Sequence, residues 1–416
     1  MKPDTMRKID VWAGKPCCGA LTLLRKIGRC LREGEDCQGP PKKILFIKLV
    51  EQGSTVLAYR ALSKAVDMVG RENVFFWVFE ENREILDLLN VIPPENALVI
   101  RSRGFGIFLF DVMRSLFKIR HMDMDATIDM EFFARASAIL AFLTGADNRV
   151  GLHRFTSEGP YRGDLLTHRI QYNPYVHVAE QYCLMVESLL APPDEIPMVK
   201  CQPPKTEFAP PCFKPSKAEV EHVQGVLDGV AGRRVESPIV ILNQNASDML
   251  PLRRWPAERF VELAKEVLSL RPDANIVMTG APSEEFAVAK TARAIGSAQV
   301  VNVAGRTSLR ELLTLFSIAD ILVTNDSGPG HFSSMTDIHT VALFGPETPA
   351  LYGPLGKNTH IVWSGLACSP CVNVFNHRFS PCRNNVCMTS ISVAQVFEVV
   401  KALLLHPIEA GFSRMP

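Results

Sequence analysis

The sequence predicts two α/β domains, each built on a doubly wound parallel sheet. Three observations carry that prediction. Short runs that are apolar at every position, such as Ile44-Leu45-Phe46-Ile47 and residues 239–242, alternate with helix-like segments. A strand without polar alternation is one buried on both faces, as in a parallel sheet covered by helices on each side. The series occurs twice, and between its copies residues 191–215 hold eight prolines, which neither a helix interior nor a central strand accommodates. The length of 416 residues suits two sizeable domains.

Taken in order, residues 1–41 read as a basic extension. Residues 1–43 contain ten Lys or Arg against five acids, and residues 21–31 place apolar positions at near-helical spacing. This is either an anchor for an anionic membrane surface or a solvated tail. The first domain, residues 42–190, opens on the strand at 44–47, turns at Gly53-Ser54-Thr55, and repeats strand and helix through runs at 74–79, 97–100 and 126–129. Residues 104–120 mix aromatics and aliphatics with Arg114, Lys118 and Arg120, giving a helix that faces either the core or a bilayer. Residues 191–236 are the linker and a connecting helix. The second domain, 237–416, has strands expected at 239–242, 275–278, 300–303, 321–324 and 340–344. Such sheets bind ligands at their carboxyl ends, so a ligand cleft is expected between the domains.

Composition narrows the function. With 45 basic and 44 acidic residues the net charge is +1, which gives no electrostatic footprint for nucleic acid. No window supplies the ~18 uninterrupted apolar residues of a spanning helix, and the N-terminus lacks an apolar leader core. A cytoplasmic protein is expected. The 11 cysteines are an odd number without a chain-wide framework.

The strongest motif is Asp326-Ser327-Gly328-Pro329-Gly330-His331, set between an apolar strand and a helix start. A strand, a glycine turn and a helix N-terminus make an anion site. The alternative is that Asp326 and Ser327 merely cap the helix. Further motifs end at the same sheet edge: Phe344-Gly345-Pro346-Glu347-Thr348-Pro349, the Asn245-Ala246-Ser247 loop leading to Arg253-Arg254-Trp255-Pro256, Gly280-Ala281-Pro282-Ser283-Glu284-Glu285, and Gly305-Arg306-Thr307. Arg253 and Arg254 could neutralise a diphosphate, and Glu284 could grip a ribose. Cys368, Cys371, Cys382 and Cys387 form a compact cluster that suits structural zinc, with disulfides or packed thiols as the other readings.

On these motifs, in this order, residues 43–400 resemble glycosyltransferase family 9, the bacterial heptosyltransferases of lipopolysaccharide core synthesis. The resemblance implies a GT-B architecture of two Rossmann-like domains, the acceptor on the first and the nucleotide sugar on the second. It implies an inverting transfer from ADP-heptose or a related donor to a lipid-linked glycan, with peripheral contact at the inner membrane. Asp326, Ser327, Gly328 and His331 would hold the donor with Asn245, Ser247, Arg253 and Arg254, Glu284 the ribose, and Thr307 the base. No cofactor is required for the chemistry, although Mg is a candidate beside the zinc. The family's first loop reads Gly-Asp, with the aspartate as general base; here Gly53-Ser54 stands in its place. Ser54 is a poor base, so Glu51 on the same loop is the substitute, with Asp129 or Glu131 as alternatives. Lys48, Asp129, Glu131 and Arg135 would face the acceptor. A chain without its base would instead be a non-catalytic nucleotide-sugar-binding protein; another GT-B enzyme such as an epimerase is the further alternative.

Overall fold

The apolar runs form strands that are buried because helices cover both faces. The computed structural model describes residues 9–31, 40–154, 159–202, 210–247, 250–376 and 378–405. The chain divides into two units, one of Met1–Phe208 with Val374–Arg378 and one of Ala209–Asn373 with Phe379–Pro416.

The first unit runs α1 (Gly14–Leu31), β1 (Ile44–Ile47), α2 (Gln52–Leu57), α3 (Tyr59–Val69), β2 (Val74–Phe79), α4 (Arg83–Leu89), β3 (Ala97–Ile100), α5 (Phe105–His121), β4 (Ala126–Asp129), α6 (Arg135–Leu143), β5 (Asn148–Leu152), β6 (His168–Ile170) and α7 (Val178–Glu187). Its six strands are parallel in the order β3-β2-β1-β4-β5-β6. The register sets Ile47 beside both Trp77 and Asp129, so β1 and β4 end side by side. The order reverses there, and open α/β sheets leave a ligand crevice at that point. Leu45, Ile47 and Trp77 build a core with Val112, Leu116 and Ile119 of α5 and with Leu140 and Ala141 of α6.

Of the basic extension, the described residues 9–31 are not a solvated tail. Helix α1 is docked through Cys18, which packs with Ala138 and Leu165, and through Arg25, whose guanidinium meets Asp164 at 3.1 Å and Asp194 at 2.6 Å. Part of the basic charge counted in the sequence is therefore spent inside the fold.

The second unit runs α8 (Lys217–Ala231), β7 (Ile239–Asn243), α9 (Ala257–Leu270), β8 (Asn275–Met278), α10 (Glu285–Ile295), β9 (Val300–Asn302), α11 (Leu309–Ile318), β10 (Ile321–Asn325), α12 (Gly328–Ser333), β11 (His339–Phe344), α13 (Pro349–Tyr352), β12 (Thr359–Trp363), α14 (Val386–Thr389) and α15 (Val393–Leu405). Its sheet, β12-β11-β10-β7-β8-β9, is again parallel and repeats the first sheet's order. The connecting helix α8 belongs here: Ser216 and Glu219 form a capping box, and His222 reaches Glu311 of α11 at 2.9 Å. Among the described residues no helix is long and apolar enough to cross a membrane.

Candidate active site

At the ends of β1 and β4, several of the expected acceptor residues turn inward. Lys48 is wholly buried, its Nζ 3.4 Å from Glu131 and 3.7 Å from Glu51. Burial, with Arg378 adding to it, pushes the Lys48 ammonium below its ordinary range against the pull of Glu131. Glu131 accepts the Leu49 and Val50 N–H groups at 2.6 and 3.1 Å, so it braces the β1 loop. Asp129 accepts the Glu131 N–H at 3.0 Å, the Ser137 hydroxyl at 2.9 Å and the buried Arg162 guanidinium. These residues hold the loop and do not present themselves to a substrate. Arg135 is likewise corrected. It is buried under α1, pairs with Asp10 at 3.1 Å, and donates from Nε to the Tyr161 carbonyl at 2.8 Å.

Glu51 is placed differently. It precedes α2 in a left-handed conformation, φ 71° and ψ 85°, which costs a non-glycine residue about 1–3 kcal/mol. The Ser54 hydroxyl donates to its Oε2 at 2.9 Å, and the Arg378 guanidinium pairs with Oε1. Arg378 also lies over the Phe132 ring, 5.9 Å from its centre. All three carboxylates have their oxygens paired within the fold, but the Glu51 side chain is 17% exposed against 9% for Glu131 and 0% for Asp129. Arg162 reads in the sequence as an ordinarily solvated loop charge, and nothing there marks Arg378. Charge alone does not single out Arg162 among the polar residues 153–168, and Arg378 reaches Glu51 from 327 positions along the chain.

The second unit gathers its motifs where its own strand order reverses. Asn325, the last residue of β10, donates from Nδ2 to the Gln244 carbonyl at 2.8 Å and accepts the Trp255 N–H at 3.0 Å. It thereby ties the β7 loop to the arginine motif. Trp255 is buried and donates from Nε1 to the Ile391 carbonyl at 2.9 Å. Arg253 projects toward two buried carboxylates: Nη2 stands 3.2 Å from Glu347 and Nε 3.6 Å from Asp326. Burial would lower the Arg253 guanidinium, but Glu347 and Asp326 hold it above its ordinary value. Glu347 is pushed up, to about 8, by burial first and then by Asp326 beside it. In the sequence the only signal for Glu347 is its place in a second turn after an apolar strand.

The other expected donor residues divide. Ser327 does not cap α12 with its side chain; its hydroxyl donates to the Asn325 carbonyl at 3.1 Å. At Gly328 an added Cβ would stand 3.0 Å from the Phe332 ring, so packing alone asks for glycine. His331 is buried on the same short helix. Arg254 donates twice to the Ala246 carbonyl, at 3.0 and 2.6 Å, and so shapes the β7 loop. Asn245 is buried, with its Nδ2 lacking a hydrogen-bond partner among the described residues; Ser247 after it is exposed. Glu284 accepts the Ala281 N–H at 2.8 Å. Gly305 donates to the Gly280 carbonyl at 2.9 Å, which joins the Glu284 turn to the Thr307 turn.

The model for glycosyltransferase family 9 (heptosyltransferase) matches residues 113–378, which is more than half of the chain. The chain belongs to glycosyltransferase family 9. Lipooligosaccharide heptosyltransferase 2 of Campylobacter jejuni is 31% identical over 155 residues, covering 36% of this chain and 47% of that one. Lipopolysaccharide heptosyltransferase 2 of Salmonella typhimurium is 31% identical over 115 residues, covering 27% and 32%. The chain thus spans about half the length, or less, of the curated relatives it matches. Among solved structures, E. coli ADP-heptose lps heptosyltransferase II has a TM-score of 0.64 at 20% identity over 88% of this chain and 99% of that one. A family 9 glycosyl transferase from Veillonella parvula has a TM-score of 0.69 at 19% identity, covering 88% and 97%. The fold is therefore GT-B, two Rossmann-like units. The family match contains the Asp129 segment and the Asp326 motif but begins after the Glu51 loop, the loop in which this family 9 chain departs from Gly-Asp.

The clustered cysteines meet different neighbours. Cys371 Sγ lies 3.5 Å from the Ser380 hydroxyl and Cys382 Sγ donates to the Asn384 carbonyl at 3.1 Å, while Cys387 is buried on α14. Among the described residues no group of three or more His, Cys, Asp or Glu is placed to hold a metal ion.

Proposed function

We propose that the chain is an inverting glycosyltransferase that moves a heptose-like sugar from a nucleotide diphosphate sugar, ADP-heptose as donor, to a lipid-linked glycan such as lipopolysaccharide core. The observation that carries the reading is Arg253, held between Asp326 and Glu347 beside the Ser327–Gly328 turn, in a chain of family 9. A guanidinium so oriented meets a diphosphate with directed donors, and the amide groups opening α12 add positive potential.

The chemistry then follows in one displacement. The Glu51 carboxylate takes the proton of an acceptor hydroxyl, and that oxygen bonds to the anomeric carbon. The bond from that carbon to the diphosphate oxygen breaks, and its electron pair leaves on the nucleoside diphosphate. Attack opposite the leaving group inverts the anomeric centre. Arg253 stabilises the departing charge. No step runs through a metal.

Melting the full chain with ADP, UDP, GDP and their sugars tests the donor, because a ligand that binds only the folded protein raises its stability by mass action. ADP and ADP-heptose are expected to give the largest shift. A panel without any nucleotide effect, together with no release of nucleotide from ADP-heptose in the presence of a lipid-linked acceptor, overturns the reading.

A further inference from the structure

Helix α5 is apolar on two sides, but the core of the first unit covers only one. Val112, Leu116 and Ile119 face the sheet. Away from that side Phe110, Met113 and Phe117 remain 59–67% exposed, as does Phe105 at the start of the helix. An amphipathic helix in water turns charge outward, and an aromatic stripe left in solvent marks a surface with a partner.

A second such surface lies on a helix nearby. α5 and α6 pack on one face of the sheet, Arg120 of α5 donates to the Leu143 carbonyl ending α6 at 2.9 Å, and α1 packs on α6. On α1, Leu23, Leu24 and Ile27 are exposed, as is Trp12 just before it. Two helices, both in contact with α6, therefore carry uncovered apolar residues.

Charge identifies the occupant. The only acid within α5 is Asp111, and Arg101 neutralises it at 2.8 Å. The only acid in residues 9–31 is Asp10, and Arg135 neutralises it. Lys15, Lys26, Arg114 and Lys118 are exposed, and among the described residues none of them is ion-paired. Apolar side chains flanked by uncompensated cations match the interface of an anionic bilayer, where aromatics enter the headgroup boundary and each cation adds attraction. A second protein copy with the same surface would bring like charges together.

We propose that α1 and α5 form a docking surface for an anionic lipid bilayer. The surface is independent of the donor site, so it stands or falls apart from the glycosyl-transfer reading.

The test is flotation of the full chain with vesicles of phosphatidylcholine alone and with added phosphatidylglycerol, without nucleotide or acceptor. Binding is expected with the anionic vesicles, weakening as salt rises. Arg114→Glu with Lys118→Glu should lower the partition coefficient at least ~10-fold, and Phe110→Ser with Phe117→Ser should lower it comparably. All four positions are exposed, and unchanged melting confirms folding. Equal binding of the variants, or no preference for anionic vesicles, overturns the proposal. A dimer in sedimentation that the Phe110→Ser, Phe117→Ser variant dissociates would assign the surface to a second copy and overturn it too.

Discussion

The Ser54 hydroxyl, in the first turn of α2, donates across 2.9 Å to Oε2 of Glu51, the residue that precedes the helix. The residue that stands in the family's base position thus serves the neighbouring carboxylate. Glu51→Gln keeps the shape of the side chain but removes its basicity. It should lower kcat about 10²–10⁴-fold while leaving the affinity for ADP within about twofold, since the proposed nucleotide site is built around Arg253. Ser54→Ala should cost less, because it loosens the carboxylate without removing it. Steady-state transfer rates beside calorimetric ADP binding separate the two effects. Full activity in Glu51→Gln means that the proton goes elsewhere.

Arg253 and Glu347 set a pH dependence on the donor side. Burial, then Asp326, raises the Glu347 carboxyl from its ordinary 4.5 to about 8. Glu347 is therefore protonated at neutral pH and ionises as pH rises through about 8. A new carboxylate beside Arg253 opposes a diphosphate, so ADP affinity should fall between pH 7 and pH 9, about tenfold for each pKa unit by which the nucleotide shifts the group. Glu347→Gln should flatten that profile. The sign for stability agrees. A carboxyl raised in the folded state binds protons that the unfolded state has lost, so its contribution is complete below about 4.5 and is gone above about 8. Relative to wild type, Glu347→Gln should melt higher at pH 9 than at pH 4.5. A parallel pair of melting profiles across that range contradicts the assignment.

The doubly wound sheets were legible because Ile44–Ile47, Val74–Phe79 and Ile239–Asn243 are apolar throughout, and only burial on both faces makes such a strand. The edge-of-sheet motifs were legible because turns after those strands must lie at one end of the sheet. Side-chain direction was not. Lys48, Glu131 and Arg135 are charged, which reads as exposure, yet each found a partner distant in sequence and was buried with it: Glu131 for Lys48, and Asp10 for Arg135. The α1 segment illustrates the same limit. Its positive charge suggested a separate tail, while Arg25 was answered by Asp164 and Asp194, some 140 to 170 residues on.

Asp129 and Arg162 form a buried ion pair, their side chains 0% and 1% exposed. Removing one member leaves the other charge uncompensated in a dry interior, which costs about 3–5 kcal/mol. Arg162→Met and Asp129→Leu should each destabilise the first unit by that order in urea unfolding. The two together should recover much of the loss, since apolar side chains of similar volume replace the pair. A strictly additive double variant rules out coupling between them.

The thiols separate by burial, and labelling them distinguishes packed cysteines from a metal centre. Burial pushes Cys18 up to about 11 and Cys183 up to about 12. Cys387 is likewise pushed up to about 11, by burial first and then by Cys371. At pH 8 a thiol of pKa 11 is a thiolate about once in a thousand molecules, and the thiolate is the reactive form. Ellman's reagent should therefore modify the exposed Cys17, Cys212, Cys368 and Cys382 quickly. Cys18, Cys183 and Cys387 should react only on unfolding. A tetrahedral metal makes the opposite demand, because it requires Cys387 as a thiolate and shields Cys368 and Cys382 with it. Slow labelling of Cys368 and Cys382 that becomes fast on adding a chelator, with metal released in step, would mean that the four thiols close around an ion; fast labelling without a chelator leaves them as packed thiols.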